Sequence, residues 1–124
     1  MNVLVVEDSE VMRGMIVKAL KNGGLPVREV YQAANGLEAL QSLREHSVDL
    51  VFMDLNMPVM DGETFLRKVR AEAATADTPV VVVSSNGNSA VALGLESLGA
   101  TFVQKPFTAQ TLRAAAENAL GARQ

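Results

Sequence analysis

Four short apolar runs recur along the chain: Val3-Leu4-Val5-Val6, Val48-Asp49-Leu50-Val51-Phe52-Met53, Val80-Val81-Val82-Val83 and Ala100-Thr101-Phe102-Val103. They are continuous rather than alternating in polarity, which is how strands read when both faces are covered, as in a parallel sheet. A weaker, more polar segment over Val27–Ala33, carrying Val27, Val30 and Tyr31, is expected as an edge strand.

Between these runs the apolar residues take the period of a helix. Val11, Met12, Met15, Ile16, Ala19 and Leu20 lie on one face of a 3.6-residue repeat that Lys21-Asn22-Gly23-Gly24 stops. Leu37, Leu40 and Leu43 mark a second helix capped by Asn35, and Phe65, Leu66 and Val69 a third after Asp61-Gly62. Val91, Leu95 and Leu98 mark a fourth, closed by Gly99; Leu112, Ala115, Ala116, Ala119 and Leu120 mark a fifth, capped by Thr108. The order is β-α five times over, so the expected class is α/β: a five-stranded parallel sheet in a doubly wound (βα)5 fold. The 124 residues suit one domain, expected over 1–120 with a short flexible tail at 121–124.

Composition then removes whole classes of function. With no cysteine, disulfides, thiolate catalysis and Cys-ligated metal centres are excluded, and a reducing cytoplasm is the expected location. With 11 basic and 14 acidic side chains the net charge is -3, which is the wrong sign for direct binding to a nucleic-acid backbone. Aromatic residues make up 4%, too few for a base-stacking platform. Val3–Val6 runs directly into Glu7 and Asp8 and lacks the features of a signal peptide. No stretch approaches the roughly 20 apolar residues of a membrane span, so membrane insertion is not expected.

In an open parallel sheet, ligands gather beyond the carboxyl ends of the strands. There this chain places Glu7 and Asp8 after the first strand, Asp54 after the third, Ser84 and Ser85 after the fourth, and Lys105-Pro106 after the fifth. Clustered carboxylates repel unless protonated or neutralised by a cation. An all-oxygen donor set selects a hard ion, Mg2+ or alternatively Mn2+. With Lys105 as a second positive charge and Ser84 as a hydroxyl donor, the set suits transfer of a phosphoryl group to Asp54 acting as a carboxylate nucleophile.

These residues, in this order, resemble the receiver domains of two-component response regulators, in particular the single-domain, CheY-like regulators. The likeness runs from Val3 to about Leu120. It is carried by Val3-Leu4-Val5-Val6-Glu7-Asp8-Ser9, by Asp54-Leu55-Asn56-Met57-Pro58-Val59-Met60-Asp61-Gly62, and by Val83-Ser84-Ser85 followed by Lys105-Pro106-Phe107. The resemblance implies a flavodoxin-like strand order, 2-1-3-4-5. It implies Asp54 as phosphoacceptor, and Asp8, Asp54 and the backbone carbonyl of Asn56 as Mg2+ ligands, with Glu7 acting through water. Ser84 takes the place of the switch hydroxyl, Lys105 that of the phosphate's cationic partner in a cis Lys105–Pro106 peptide, and Phe102 that of the aromatic switch. The chain departs from the common pattern in its Glu-Asp pair, in Ser84 where Thr is frequent, and in Phe102 where Tyr is frequent. The last substitution removes a phenolic hydrogen bond.

The function so implied is a stand-alone response regulator rather than an enzyme turning over an external substrate. It would accept a phosphoryl group from a histidine kinase or histidine phosphotransfer protein and lose it by intrinsic hydrolysis, with Asn56 and Asn86 as candidates for tuning that rate. The surface of the fourth helix, fifth strand and fifth helix would bind a downstream protein, the chain itself being a monomer or weak dimer. The alternatives are a receiver cut from a larger regulator or hybrid kinase, and an aspartate-nucleophile phosphatase of the haloacid-dehalogenase type. That phosphatase chemistry wants a second acid where Asn56 stands. A flavin or dinucleotide carrier would need a donor-rich loop after the first strand, where Glu7 and Asp8 would repel phosphate.

The remaining candidates have structural readings. His46 is expected as a helix-end residue and Tyr31 as packing. The methionines are expected mainly as filler, with Met12 or Met15 able to border a docking surface. Gly94 weakens the fourth helix by about 1 kcal/mol relative to Ala, and Leu93 falls off its apolar face, either as part of a switchable surface or as one incidental exposed residue.

Overall fold

The computed structural model describes residues 1–55, 59–85 and 94–121. The apolar runs form β1 (Asn2–Val6), β3 (Leu50–Asp54), β4 (Val80–Ser84) and β5 (Thr101–Gln104), and the polar segment forms β2 (Glu29–Ala33). Every pairing is parallel, and the sheet order is β2-β1-β3-β4-β5. The helices are α1 (Glu10–Asn22), α2 (Gly36–Glu45), α3 (Gly62–Ala71), α4, described over residues 94–97, and α5 (Ala109–Gly121).

The sheet divides the core into two layers, which explains the unbroken apolar runs. Leu4, Val6, Val51, Met53, Val80 and Val82 pack to one side with Leu40 of α2, Phe65, Leu66 and Val69 of α3, and Leu95 of α4. The alternate residues Val3, Val5, Leu50, Phe52, Val81 and Val83 pack to the other with Ile16 and Leu20 of α1 and Leu112 and Ala116 of α5. Burying each large aliphatic side chain contributes roughly 1.5–3 kcal/mol. Both faces of the central strands are therefore committed, and chemistry is left to their ends.

The caps expected at Asn35 and Thr108 form, and Ser9 and Asp61 cap α1 and α3. Ser9 Oγ accepts from Met12 N at 3.2 Å, Asn35 Oδ1 from Glu38 N at 2.9 Å and Asp61 Oδ1 from Thr64 N at 2.8 Å. Thr108 Oγ1 accepts from Thr111 N at 3.1 Å while Thr111 Oγ1 accepts from Thr108 N at 2.8 Å, a reciprocal capping box with threonine in place of the usual acid. Past α4, Gly99 takes φ +81 and Ala100 N donates back to Leu95 O at 3.1 Å, a left-handed helix stop.

Several boundaries and faces differ from the sequence expectation. Val27 lies outside β2, because β1 begins at Asn2 opposite Glu29 and offers no ladder partner upstream. Val27 N instead closes a turn onto Leu25 O at 2.8 Å. In α1 the buried stripe is narrower than the apolar one: Ile16 and Leu20 are inside, while Val11 is 76% and Met15 52% exposed. In α2, Gly36, Ala39 and Leu40 form the inner stripe and Leu37 faces outward. Gly24, with φ +79, is the left-handed residue after α1, and Gly23 stays right-handed. Asp54 and Ser84 are the last residues of their strands rather than the first beyond them. Helix α5 continues through Gly121, the first residue assigned to the tail. Val91 and Leu93, and the rest of the tail, lie outside the described residues. Among the described residues no helix is long and apolar enough to cross a membrane.

Candidate functional site

Strand register brings the polar residues to one edge. Val6 is opposite Met53, Asp54 opposite Val83 and Ser84 opposite Gln104. Glu7 therefore emerges level with Asp54, and Lys105 one step past Ser84, whose carbonyl accepts from Lys105 N at 2.9 Å. Glu7, Asp54 and Ser84 are buried, while Asp8 faces solvent. Carboxylate oxygens of Glu7, Asp8 and Asp54 all lie within 4.8 Å of one another.

Lys105 Nζ stands 3.7 Å from Glu7 Oε2 and 3.6 Å from Asp54 Oδ2, within ion-pairing range of both but too far for a direct hydrogen bond. Its peptide to Pro106 is cis, as the resemblance implied. Glu7 Oε1 accepts from Ser9 N at 3.2 Å, whereas Glu7 Oε2 is buried with no hydrogen-bond partner among the described residues. Burial, contact with the Asp8 carboxyl and the nearby Asp54 together push the Glu7 pKa up to about 7, against the opposing pull of the Ser9 N–H. A dication fits this arrangement: all donors are oxygens, three carboxylates converge, and a buried carboxylate oxygen needs a partner.

The turn after Asp54 is shaped by close approach. Gly62, at the start of α3, donates to Leu55 O at 2.9 Å. A Cβ there would meet Met53 Cε at 2.7 Å, Leu55 Cα at 3.0 Å and Asp54 O at 3.1 Å, so only glycine lets α3 close on the backbone that carries Asp54. In the same turn Val59 has φ +69, a conformation a β-branched residue rarely adopts. Asn56 and Asn86 lie outside the described residues.

Phe102 is half-buried in the same core layer as Val82 and Leu98, two residues before Gln104, the partner of Ser84. It thus lies below the site and toward α4 rather than in it. On the other flank, Met12, Met15, Ser85, Lys105, Pro106 and Phe107 line an open apolar groove of about 360 Å3. The groove gathers Met12 and Met15, the expected border of a docking surface, beside Lys105.

One residue at the site was not legible in the sequence. Arg13 of α1 reaches back, and its Nη1 donates to the Glu7 carbonyl at 2.7 Å while its Nε donates to Gln32 Oε1 of β2 at 3.2 Å. The available signal was its position in the second turn of α1, on a helix that starts directly after the acidic pair. His46 is exposed at the end of α2, and its ring stacks on Tyr31 with centroids 4.0 Å apart.

Comparison with known proteins agrees with this geometry. The family described as "Response regulator receiver domain" matches residues 3–117. A chemotaxis protein CheY homolog from Campylobacter jejuni is 36% identical over 123 residues, covering 98% of this chain and 93% of its own. The crystal structure of the chemotaxis response regulator CheY4 of Vibrio cholerae superposes with a TM-score of 0.84 at 32% identity, covering 96% of this chain and 98% of its own. The receiver domain of sensor histidine kinase PA1611 from Pseudomonas aeruginosa, solved with a magnesium ion coordinated in its active-site cleft, superposes with a TM-score of 0.83 at 26% identity over 97% of each chain. A parallel sheet in the order 2-1-3-4-5, an acidic cluster at its carboxyl edge and these relationships place the chain in the response regulator receiver family.

Proposed function

We propose that the chain is a stand-alone, cytoplasmic response regulator that takes a phosphoryl group on Asp54 from a histidine kinase or histidine phosphotransfer protein. The observation that carries this reading is the convergence of Glu7, Asp8 and Asp54 within 4.8 Å, with Lys105 bridging Glu7 and Asp54.

An Asp54 carboxylate oxygen attacks phosphorus as the bond to the donor's histidine nitrogen breaks, and the imidazole leaves with the electron pair. Asp8, Asp54 and the Asn56 carbonyl would hold Mg2+ directly, with Glu7 acting through water. When bound, the ion supplies charge neutralisation at the carboxylates and the incoming phosphoryl oxygens. Lys105 pairs with the phosphoryl group once Asp54 becomes an acyl phosphate, a role supported by its ammonium standing 3.6 Å from Asp54 Oδ2. The apolar groove beside Lys105 offers a helix of the donor a surface next to the acceptor.

Ser84 serves as the switch hydroxyl and Phe102 as the aromatic that responds. Both belong to alternate positions on the same face of neighbouring strands, Ser84 two residues after Val82 and Phe102 opposite Val82. Drawing Ser84 toward a phosphoryl group frees space above Phe102 and alters the α4-β5-α5 surface for a downstream protein. Phosphorylation biases a pre-existing equilibrium only by its differential interaction with the two states.

The test is incubation with Mg2+ and a small acyl phosphate, followed by intact mass. The wild type gains one phosphoryl group and Asp54→Ala gains none. A wild type that no acyl phosphate modifies overturns the reading.

A further inference from the structure

The β1–α1 turn presents two of the three clustered acids, and its backbone is held from several sides. Glu7 N donates to Ala33 O at 3.0 Å, Ser9 N donates to Glu7 Oε1 at 3.2 Å, and Ser9 caps α1 at once. The Glu7 carbonyl completes the backbone of that residue, and Arg13 Nη1 donates to it at 2.7 Å, a short, charge-assisted bond. Gln32 Oε1 steadies the guanidinium from β2, accepting from Arg13 Nε at 3.2 Å.

The Glu7 carbonyl and the Asp8 N–H belong to one planar peptide unit. Fixing the carbonyl therefore fixes the rotation of that plane and narrows the directions in which the Asp8 side chain can leave the backbone. Asp8 is exposed, so no packing does this for it.

We propose that Arg13 is a positioning residue for the cation site, acting through the Glu7–Asp8 peptide and supported by Gln32. The inference rests on the reading of the acidic cluster as a cation site. Arg13 has two effects of opposite sign. Its positive charge near the cluster disfavours a dication, while its grip on the peptide aims a ligand. Groups that orient metal ligands change affinity by about 10–100-fold, whereas one unit charge acting through a solvated surface changes it by only about fivefold. The orienting effect dominates.

The opposite signs make the test decisive. Mg2+ is titrated into the full chain while backbone amide NMR shifts are followed, for the wild type, Arg13→Met, Arg13→Lys and Gln32→Leu, with urea unfolding to establish that each is folded. Arg13→Met weakens Mg2+ binding about tenfold although it removes a positive charge. Arg13→Lys, with a single donor nitrogen in place of a planar fork, recovers part of the loss. Gln32→Leu, which leaves the acids and the guanidinium in place, weakens binding in the same direction by a smaller factor. Affinity that is unchanged or tighter in Arg13→Met overturns the proposal, and if that variant does not fold, wild-type affinity in Gln32→Leu does so. A wild type that binds no Mg2+ overturns the cation-site reading itself, and the inference with it.

Discussion

Glu7 is the residue at which the cost of the site is concentrated. Burial and its acidic neighbours move its pKa from an ordinary 4.5 to about 7. The folded metal-free protein then holds a proton that the unfolded chain releases between those values. The resulting stability is fully present below about pH 4.5 and is lost as pH rises through 7. In EDTA, urea unfolding should weaken between pH 5 and pH 7.5 by up to about 3 kcal/mol from this group, and Glu7→Gln should flatten the profile. A profile that keeps its slope in Glu7→Gln would assign the effect elsewhere. Asp61 acts in a separate window: its bonds to Thr64 hold its pKa below the ordinary 3.8, so its contribution is lost only as pH falls through that lower value. The acids, Ser84 and Lys105 were legible in the sequence because each ends or follows a run of valines and other apolar residues. Arg13 was not, because a basic residue on a helix surface reads as solvated until the tertiary fold shows which carbonyl it meets.

At the scale of elements, periodicity located the helices better than it located their buried faces. The six apolar positions read in α1 are one face by spacing, but the sheet covers only Ile16 and Leu20 fully. Met12 and Met15, at the flank, line the groove beside Lys105 instead. The start of β2 was equally beyond local reading, since it is set by where β1 begins. Gly14 sits within α1, exposed, and a Cβ there meets nothing within 4 Å. Its glycine serves no contact visible in the structure and weakens the helix by about 1 kcal/mol relative to alanine. Gly14→Ala should therefore raise the stability by roughly 0.5–1 kcal/mol, measured by thermal or urea unfolding, with Mg2+ affinity and acyl-phosphate reactivity unchanged. A lowered melting temperature would show that the backbone at Gly14 is used in some other way.

Across the whole molecule, the alternation of runs and helices dictated a parallel, doubly wound sheet, but the order 2-1-3-4-5 came from the resemblance, because periodicity does not say to which edge each new strand is added. That order puts β1 and β3 side by side at the centre of the sheet, so the acids that follow them must converge. The same topology that gathers the acids for the proposed cation stores repulsion when no cation is bound, so under that proposal stability and function pull in opposite directions. Asp8 separates the two, since it is exposed and its replacement empties no core. Asp8→Asn should make the metal-free protein more stable by about 1 kcal/mol, the scale of two unit charges about 4 Å apart in water. Mg2+ at 100 times its dissociation constant should stabilise the wild type by about 2.7 kcal/mol and the variant by far less. Unfolding curves in EDTA and in saturating Mg2+ would then cross, the variant more stable without the ion and the wild type more stable with it. A variant less stable in EDTA, or one stabilised by Mg2+ as much as the wild type, would mean that the cluster is not strained by its own charge or that Asp8 is not part of what holds the ion.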